Sequence, residues 1–202
     1  MQPPDIAALH KMFTAKAGAE QIATEFALRG LWYWLCRTRP ARILEVGTGI
    51  GTLTSLLADY AMRRGAYLVT VEDDAWCREQ AIANLRGVGE HASFLEKIPD
   101  EFFDFIVVDG HQIRAHDWHI LSLGGTVFFE GGRRGQRADL RDFLGDAAIE
   151  AQWRPPARTK GYSIVRVQPA WRERAWFTVV WVREWARDLP LRLLGHAVGK
   201  RA

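Results

Sequence analysis

The stretch Ile43-Leu44-Glu45-Val46-Gly47-Thr48-Gly49-Ile50-Gly51 decides how this chain folds. Apolar residues flank one acid and end in a run of alternating glycines. This pattern reads as a short buried strand followed by a turn that opens a helix. Glycine lacks a Cβ and tolerates positive φ, so such a turn lets backbone approach a ligand closely. The helix behind it aims unpaired N–H groups at the same point. The segment therefore predicts a site for a small-molecule cofactor at a strand-to-helix corner.

Working outward, strand and helix alternate. Strands are expected at 42–46, 67–71, 92–95, 103–108 and 126–129, with helices at 52–63, 74–85, 114–121 and 137–144. The run at 103–108 is apolar apart from Asp104, as expected of a sheet covered on both faces. Strands separated by helix-length segments imply parallel βαβ units with right-handed crossovers. Two further strands, at 149–154 and 161–167, flank the turn-rich Pro155-Pro156-Ala157-Arg158 and suggest an antiparallel hairpin at the sheet edge. Residues 5–37 read as helix in two pieces broken near Gly18, ended by Pro40.

The expected fold is α/β. It is a Rossmann-like, doubly wound, mostly parallel seven-stranded sheet with helices on both faces. Residues 1–38 would be cap helices, 39–168 the sheet domain and 169–202 a tail.

The chain has 202 residues, a length that favours one domain plus an appendage. With 48% hydrophobic and 25% charged residues it carries enough apolar material for a sizeable core. A net charge of +3 is too weak to argue for a nucleic-acid partner. Cys36 and Cys77 form no CxxC pair, so a reduced, cytoplasmic compartment is expected. Met1–Asp5 shows no basic region leading into an apolar run, so no secretory signal is expected. No apolar stretch reaches the roughly 18–20 residues of a membrane span.

Tryptophan is the compositional anomaly. Four of the nine (Trp171, Trp176, Trp181 and Trp185) fall within residues 169–202, among seven Lys/Arg and three acids. On a helical wheel of about 100° per residue they share no single face. Aromatics interleaved with arginines suit packing within the protein, a homodimer contact or a membrane interface.

The glycine spacing separates two cofactor classes. A dinucleotide fingerprint G-x-G-x-x-G starting at Gly47 requires glycine at position 52, which is Thr52. The chain instead has Gly47, Gly49 and Gly51 preceded by Glu45. Here it resembles the class I S-adenosylmethionine-dependent methyltransferases, whose first motif is an acid, one residue, then G-x-G-x-G. That resemblance implies Glu45, Gly47, Thr48, Gly49 and Gly51 as cofactor contacts. A second acid ends the next strand in Thr70-Val71-Glu72-Asp73. Glu72 would accept hydrogen bonds from both ribose hydroxyls, with Asp73 at the rim of the adenine pocket. An acid here also serves nicotinamide enzymes.

Phe103-Asp104-Phe105-Ile106-Val107-Val108-Asp109-Gly110-His111 is similar to a signature of the small-molecule O-methyltransferase-like members of that superfamily, as is Gly124-Gly125 before the fifth strand. The resemblance covers about residues 20–168. It implies methyl transfer, most simply to oxygen of a small or conjugated acceptor, and S-adenosylhomocysteine as product. Asp109 would hold cofactor or acceptor, and His111, whose side chain titrates near neutrality, would act as base. A metal-dependent subgroup has an Asp-Asn pair after the fifth strand and a lysine three residues after its Asp. These are Glu130-Gly131 and Gln112 here, so no metal is expected, although Asp109, Glu130 and His111 offer hard-cation ligands. Arg133, Arg134 and Arg137 follow that strand and suit an anionic acceptor. Two other readings stand beside this one: a non-catalytic cofactor-binding or scaffold protein, and a nicotinamide-dependent oxidoreductase.

Overall fold

The computed structural model describes residues 1–85, 87–110, 113, 115–131, 134–144, 148–153 and 161–167. The tail therefore lies outside the described residues. The elements run α1 Ile6–Thr14, α2 Glu25–Thr38, β1 Arg42–Val46, α3 Thr52–Arg64, β2 Tyr67–Val71, α4 Ala75–Asn84, β3 Ser93–Leu95 and β4 Phe103–Val108. A 3-10 segment, Ala115–Ile120, then precedes β5 Leu121–Glu130, α5 Arg134–Leu144, β6 Ala148–Trp153 and β7 Tyr162–Val167. The seven strands form one sheet in the order β3-β2-β1-β4-β5-β7-β6. The first five are parallel, and β7 runs antiparallel to both β5 and β6. The expected sheet is present, and the hairpin joins it through its second strand.

Side chains alternate between the two faces with the period of a strand. Ile43, Phe105, Val107, Phe128 and Ile164 face a core shared with Leu28, Leu31 and Trp34 of α2 and Leu53 and Leu57 of α3. Leu44, Val46, Ile106, Val108 and Val127 face a second core with Trp118 and Leu140. Cover on both faces explains the continuous apolar run at 105–108 and the burial of Ile43, Leu44 and Val46 around the one acid of β1, Glu45. Each fully buried Leu, Ile, Val or Phe contributes about 1.5–3 kcal/mol. Helix α2 thus packs directly on the sheet.

Two local devices set the sheet's geometry. Asp104, the one acid in β4, accepts hydrogen bonds from the Ala41 N–H (2.9 Å) and the Arg42 N–H (3.0 Å) and so fastens the start of β1. On the other side, α2 approaches β7 closely at Gly30, where an added Cβ would stand 2.1 Å from Tyr162 Cε1. The Tyr162 ring stacks on Phe128 with ring centroids 4.9 Å apart.

The helical segment expected before β5 is present as 3-10 helix, α5 begins at Arg134 instead of 137, and β5 begins at Leu121 instead of 126. Its pairing with β4 jumps from Phe103↔Leu121 to Phe105↔Thr126. The extra residues are taken up around Gly124, whose φ is 77°. The paired glycines therefore sit inside an irregular strand and do not mark its start.

Candidate functional site

In this strand order the direction of winding reverses between β1 and β4, the place where open α/β sheets bind ligands. Three backbone bonds align the strand ends there. Gly47 N–H donates to Val71 O (2.9 Å), Asp109 N–H to Val46 O (2.9 Å) and Glu72 N–H to Leu95 O (3.0 Å). The carboxyl ends of β2, β1 and β4 thus present Glu72, the glycine turn and Asp109 side by side.

Gly47, Gly49 and Gly51 have φ of 94°, 53° and 94°. All three are left-handed, a region costing an ordinary L-residue about 1–2 kcal/mol. Their surroundings differ. A Cβ on Gly49 would meet nothing within 4 Å, so this glycine faces open space. A Cβ on Gly51 would stand 3.3 Å from Ala81 and Leu85, so this one lets α3 pack on α4.

Glu72 accepts the Gly49 N–H on Oε2 at 2.7 Å and the Asp74 N–H on Oε1 at 3.0 Å. It pins the glycine turn to the loop that starts α4. A carboxylate has about four acceptor positions, so each oxygen keeps capacity for a ligand hydroxyl.

Glu45 lies beneath the turn, fully buried and off the cleft wall. Its Oε2 accepts from Thr54 Oγ1 and Thr70 Oγ1, each at 2.6 Å, and Thr70 also meets Thr48 Oγ1. Its Oε1 has no hydrogen-bond partner. Burial, with the nearby carboxyls of Asp109 and Glu72, outweighs the two hydroxyl bonds and pushes the Glu45 pKa up to about 8.

A cavity of about 660 Å³ opens above the turn, within the usual range for a small-molecule site. Gly47, Thr48, Gly49, Glu72, Asp73 and Asp109 line it, all expected from the sequence. Thr52 lines it too. That side chain is buried, and its Oγ1 has no hydrogen-bond partner. Gly18, Glu20, Gln21, Ile22 and Ala23 line the cavity as well, as do Trp76 and Cys77, none of which the sequence marked as site residues. Glu20, Glu72, Asp73 and Asp109 give the wall four carboxyl groups, and no Lys, Arg or His lines it among the described residues.

His111 and Arg133 lie outside the described residues. Arg134 is exposed at the first position of α5. Arg137 is buried and donates from Nη1 to Ser163 Oγ on β7 at 2.9 Å, tying α5 to the sheet. Glu130 is buried at the end of β5. Among the described residues no three His, Cys, Asp or Glu side chains cluster as metal ligands. No helix among them is long and apolar enough to cross a membrane.

The fold agrees with solved structures. An O-methyltransferase from Bacillus cereus, in complex with S-adenosylhomocysteine, superposes with a TM-score of 0.61 at 16% identity, covering 83% of this chain and 93% of that one. The fold is the Rossmann-like fold of methyltransferases. A methyltransferase from Podospora anserina, also bound to S-adenosylhomocysteine, superposes with a TM-score of 0.62 at 16% identity over 82% of this chain and 89% of that one. A tRNA (m1A58) methyltransferase from Aquifex aeolicus gives 0.61 at 18% identity over 83% and 77%. No protein-family model matches this sequence, and no curated protein does.

Proposed function

We propose that this protein transfers a methyl group from S-adenosylmethionine to a small or conjugated acceptor, at oxygen. The observation that carries this is the Gly49–Glu72 bond within a cleft walled by carboxyls. In a dinucleotide site the turn's N–H groups face a diphosphate. Here the Gly49 N–H is taken by a carboxylate, and the four acids on the wall repel a dianion. The same wall attracts a sulfonium. The open space at Gly49 and the unsatisfied hydroxyl of Thr52 fit a ligand that lies against the turn and offers polar atoms.

The bound cofactor supplies a methyl already activated on sulfur. The chain's own residues then have two tasks. Glu72 and Asp73 hold the nucleoside, while Glu45 acts from beneath by fixing the turn. Asp109 and His111 orient the acceptor, with His111 taking its proton as methyl transfer proceeds. Oxygen as the acceptor atom is supported by the O-methyltransferases among the structural neighbours. An anionic group on the acceptor is supported by Arg134, exposed just beyond β5.

Calorimetry with S-adenosylmethionine, S-adenosylhomocysteine and NAD tests the donor. Saturable binding of the two adenosyl-sulfur compounds with none of NAD is expected, and the reverse order overturns the proposal. Wild type, Asp109→Ala and His111→Ala, assayed across phenolic, carboxylate and amine acceptors, then test turnover.

A further inference from the structure

Gly18 occupies a notch between the two loops that carry the proposed cofactor site. A Cβ on it would stand 2.8 Å from Trp76 Cη2 and 2.9 Å from Ile50 Cγ2, and its φ is +83°. Both the space and the backbone conformation therefore demand glycine. Ile50 belongs to the glycine turn, and Trp76 is the second residue of α4. One residue of the N-terminal segment is thus wedged against both sides of the cleft at once.

The chain around Gly18 behaves as a strap. Phe13 on α1 anchors one end in the core, and Ala23, just before α2, anchors the other. Between them the 3-10 turn Ala19–Gln21 buries none of its residues, while Glu20 and Gln21 stand on the cavity wall. Residues 14–17, Glu20 and Gln21 are exposed, while Gly18, Ala19 and Ile22 are half-buried. Trp76 is 47% exposed, a large apolar side chain left half in water at the cleft mouth.

Trp76 is also connected to the ligand side. Glu72 accepts the Asp74 N–H, and Asp74 caps α4 by accepting the Cys77 N–H at 2.7 Å. Trp76 lies inside that short capped turn. A ligand held by Glu72 stiffens the turn and with it the surface against which Gly18 rests.

We propose that Gly18 and Trp76 form a clasp closing the N-terminal segment over the bound cofactor, which enters and leaves when this contact opens. Trp76 is then a positioning residue that sets cofactor residence time. The proposal rests on the reading of the cleft as an S-adenosylmethionine site. Lids of this kind commonly govern ligand exchange.

The full-length protein gives two readouts. Lys16 is exposed two residues before Gly18, so trypsin cleavage after Lys16 reports the strap. Stopped-flow displacement of S-adenosylhomocysteine gives its dissociation rate. Saturating S-adenosylhomocysteine is expected to slow cleavage at Lys16 in wild type by tenfold or more. Gly18→Ala and Trp76→Ala are expected to release the ligand at least tenfold faster and to abolish that protection. The Tm of ligand-free Trp76→Ala should stay near the wild-type value, and Trp76→Phe should restore slow release. Dissociation unchanged in both variants, with cleavage at Lys16 indifferent to ligand, overturns the clasp but leaves the cofactor reading intact. Failure of wild type to bind S-adenosylhomocysteine overturns both.

Discussion

The carboxylate of Glu72 bridges the Gly49 N–H and the Asp74 N–H, at 2.7 and 3.0 Å. One side chain at the end of β2 therefore shapes the glycine turn after β1 and the start of α4. The isosteric change Glu72→Gln cannot preserve this arrangement. Whichever way the amide points, its NH2 faces a backbone N–H.

Replacement by Gln is accordingly expected to weaken S-adenosylhomocysteine binding by about 10- to 100-fold, the worth of a charge-assisted hydrogen bond. Calorimetry checks this, with the Tm of the ligand-free protein as control. Affinity within threefold of wild type would remove Glu72 from the site.

Glu45 gives the fold a pH dependence of definite sign. Its pKa rises from the usual carboxyl range to about 8 on folding. Below the usual range both states hold the proton, and Glu45 contributes no slope. Between there and about pH 8 only the folded state holds it, so stability falls by about 1.4 kcal/mol per pH unit as pH rises. Above about 8 both states are ionised and the slope ends. Urea unfolding of wild type and Glu45→Gln from pH 5 to 9 should show the decline in wild type and a flatter profile in the variant. Parallel profiles would refute it.

Gly30→Ala sets two magnitudes against each other. Alanine in the middle of α2 gains about 1 kcal/mol of helix propensity. Its Cβ would stand 2.1 and 2.3 Å from Tyr162 ring atoms, and that ring is backed by Phe128. Overpacking a filled core costs about 1–3 kcal/mol. Net destabilisation of up to about 2 kcal/mol is expected from chemical denaturation. A second variant, Gly30→Ala with Tyr162→Leu, should recover part of the loss.

Asp104→Ala removes the acceptor for two N–H groups at the start of β1. A loss of about 2–3 kcal/mol is expected, together with faster amide exchange at Ala41 and Arg42. Cofactor affinity should hold, because Asp104 lies at the opposite end of β4 from Asp109. A selective loss of binding without a loss of stability would contradict this assignment.

Much of this was legible in the sequence, for a physical reason. Strands covered on both faces are mostly apolar, so β1, β2 and β4 appear with their observed bounds despite Glu45, Thr70 and Asp104. The three glycines show where backbone is left-handed. What escaped depends on tertiary neighbours. Leu121-Ser122-Leu123 before a glycine pair looks like the end of a loop, and only pairing with Phe103 makes it strand. Glu45 reads as a ligand contact by its motif, yet Thr54 and Thr70 hold it under the turn. Arg137 reads as one of three surface arginines, whereas Ser163 on β7 holds it in the interior. Gly18 and Trp76 lie in different elements with nothing in their local sequence to pair them.

The hydroxyls beneath the turn also carry a direction. Each has a single proton. Above about pH 8, where Glu45 is a carboxylate, Thr54 and Thr70 both donate to it, so the proton shared between Thr70 and Thr48 then belongs to Thr48. Thr48 lines the cavity, and with its proton turned inward it offers the cleft only lone pairs. A hydroxyl is ordinarily indifferent to whether its partner gives or takes. Here the floor of the cleft, with Glu45 ionised, makes one accept only, so it rewards a ligand that presents an ammonium or another donor at that point and penalises one that presents an oxyanion.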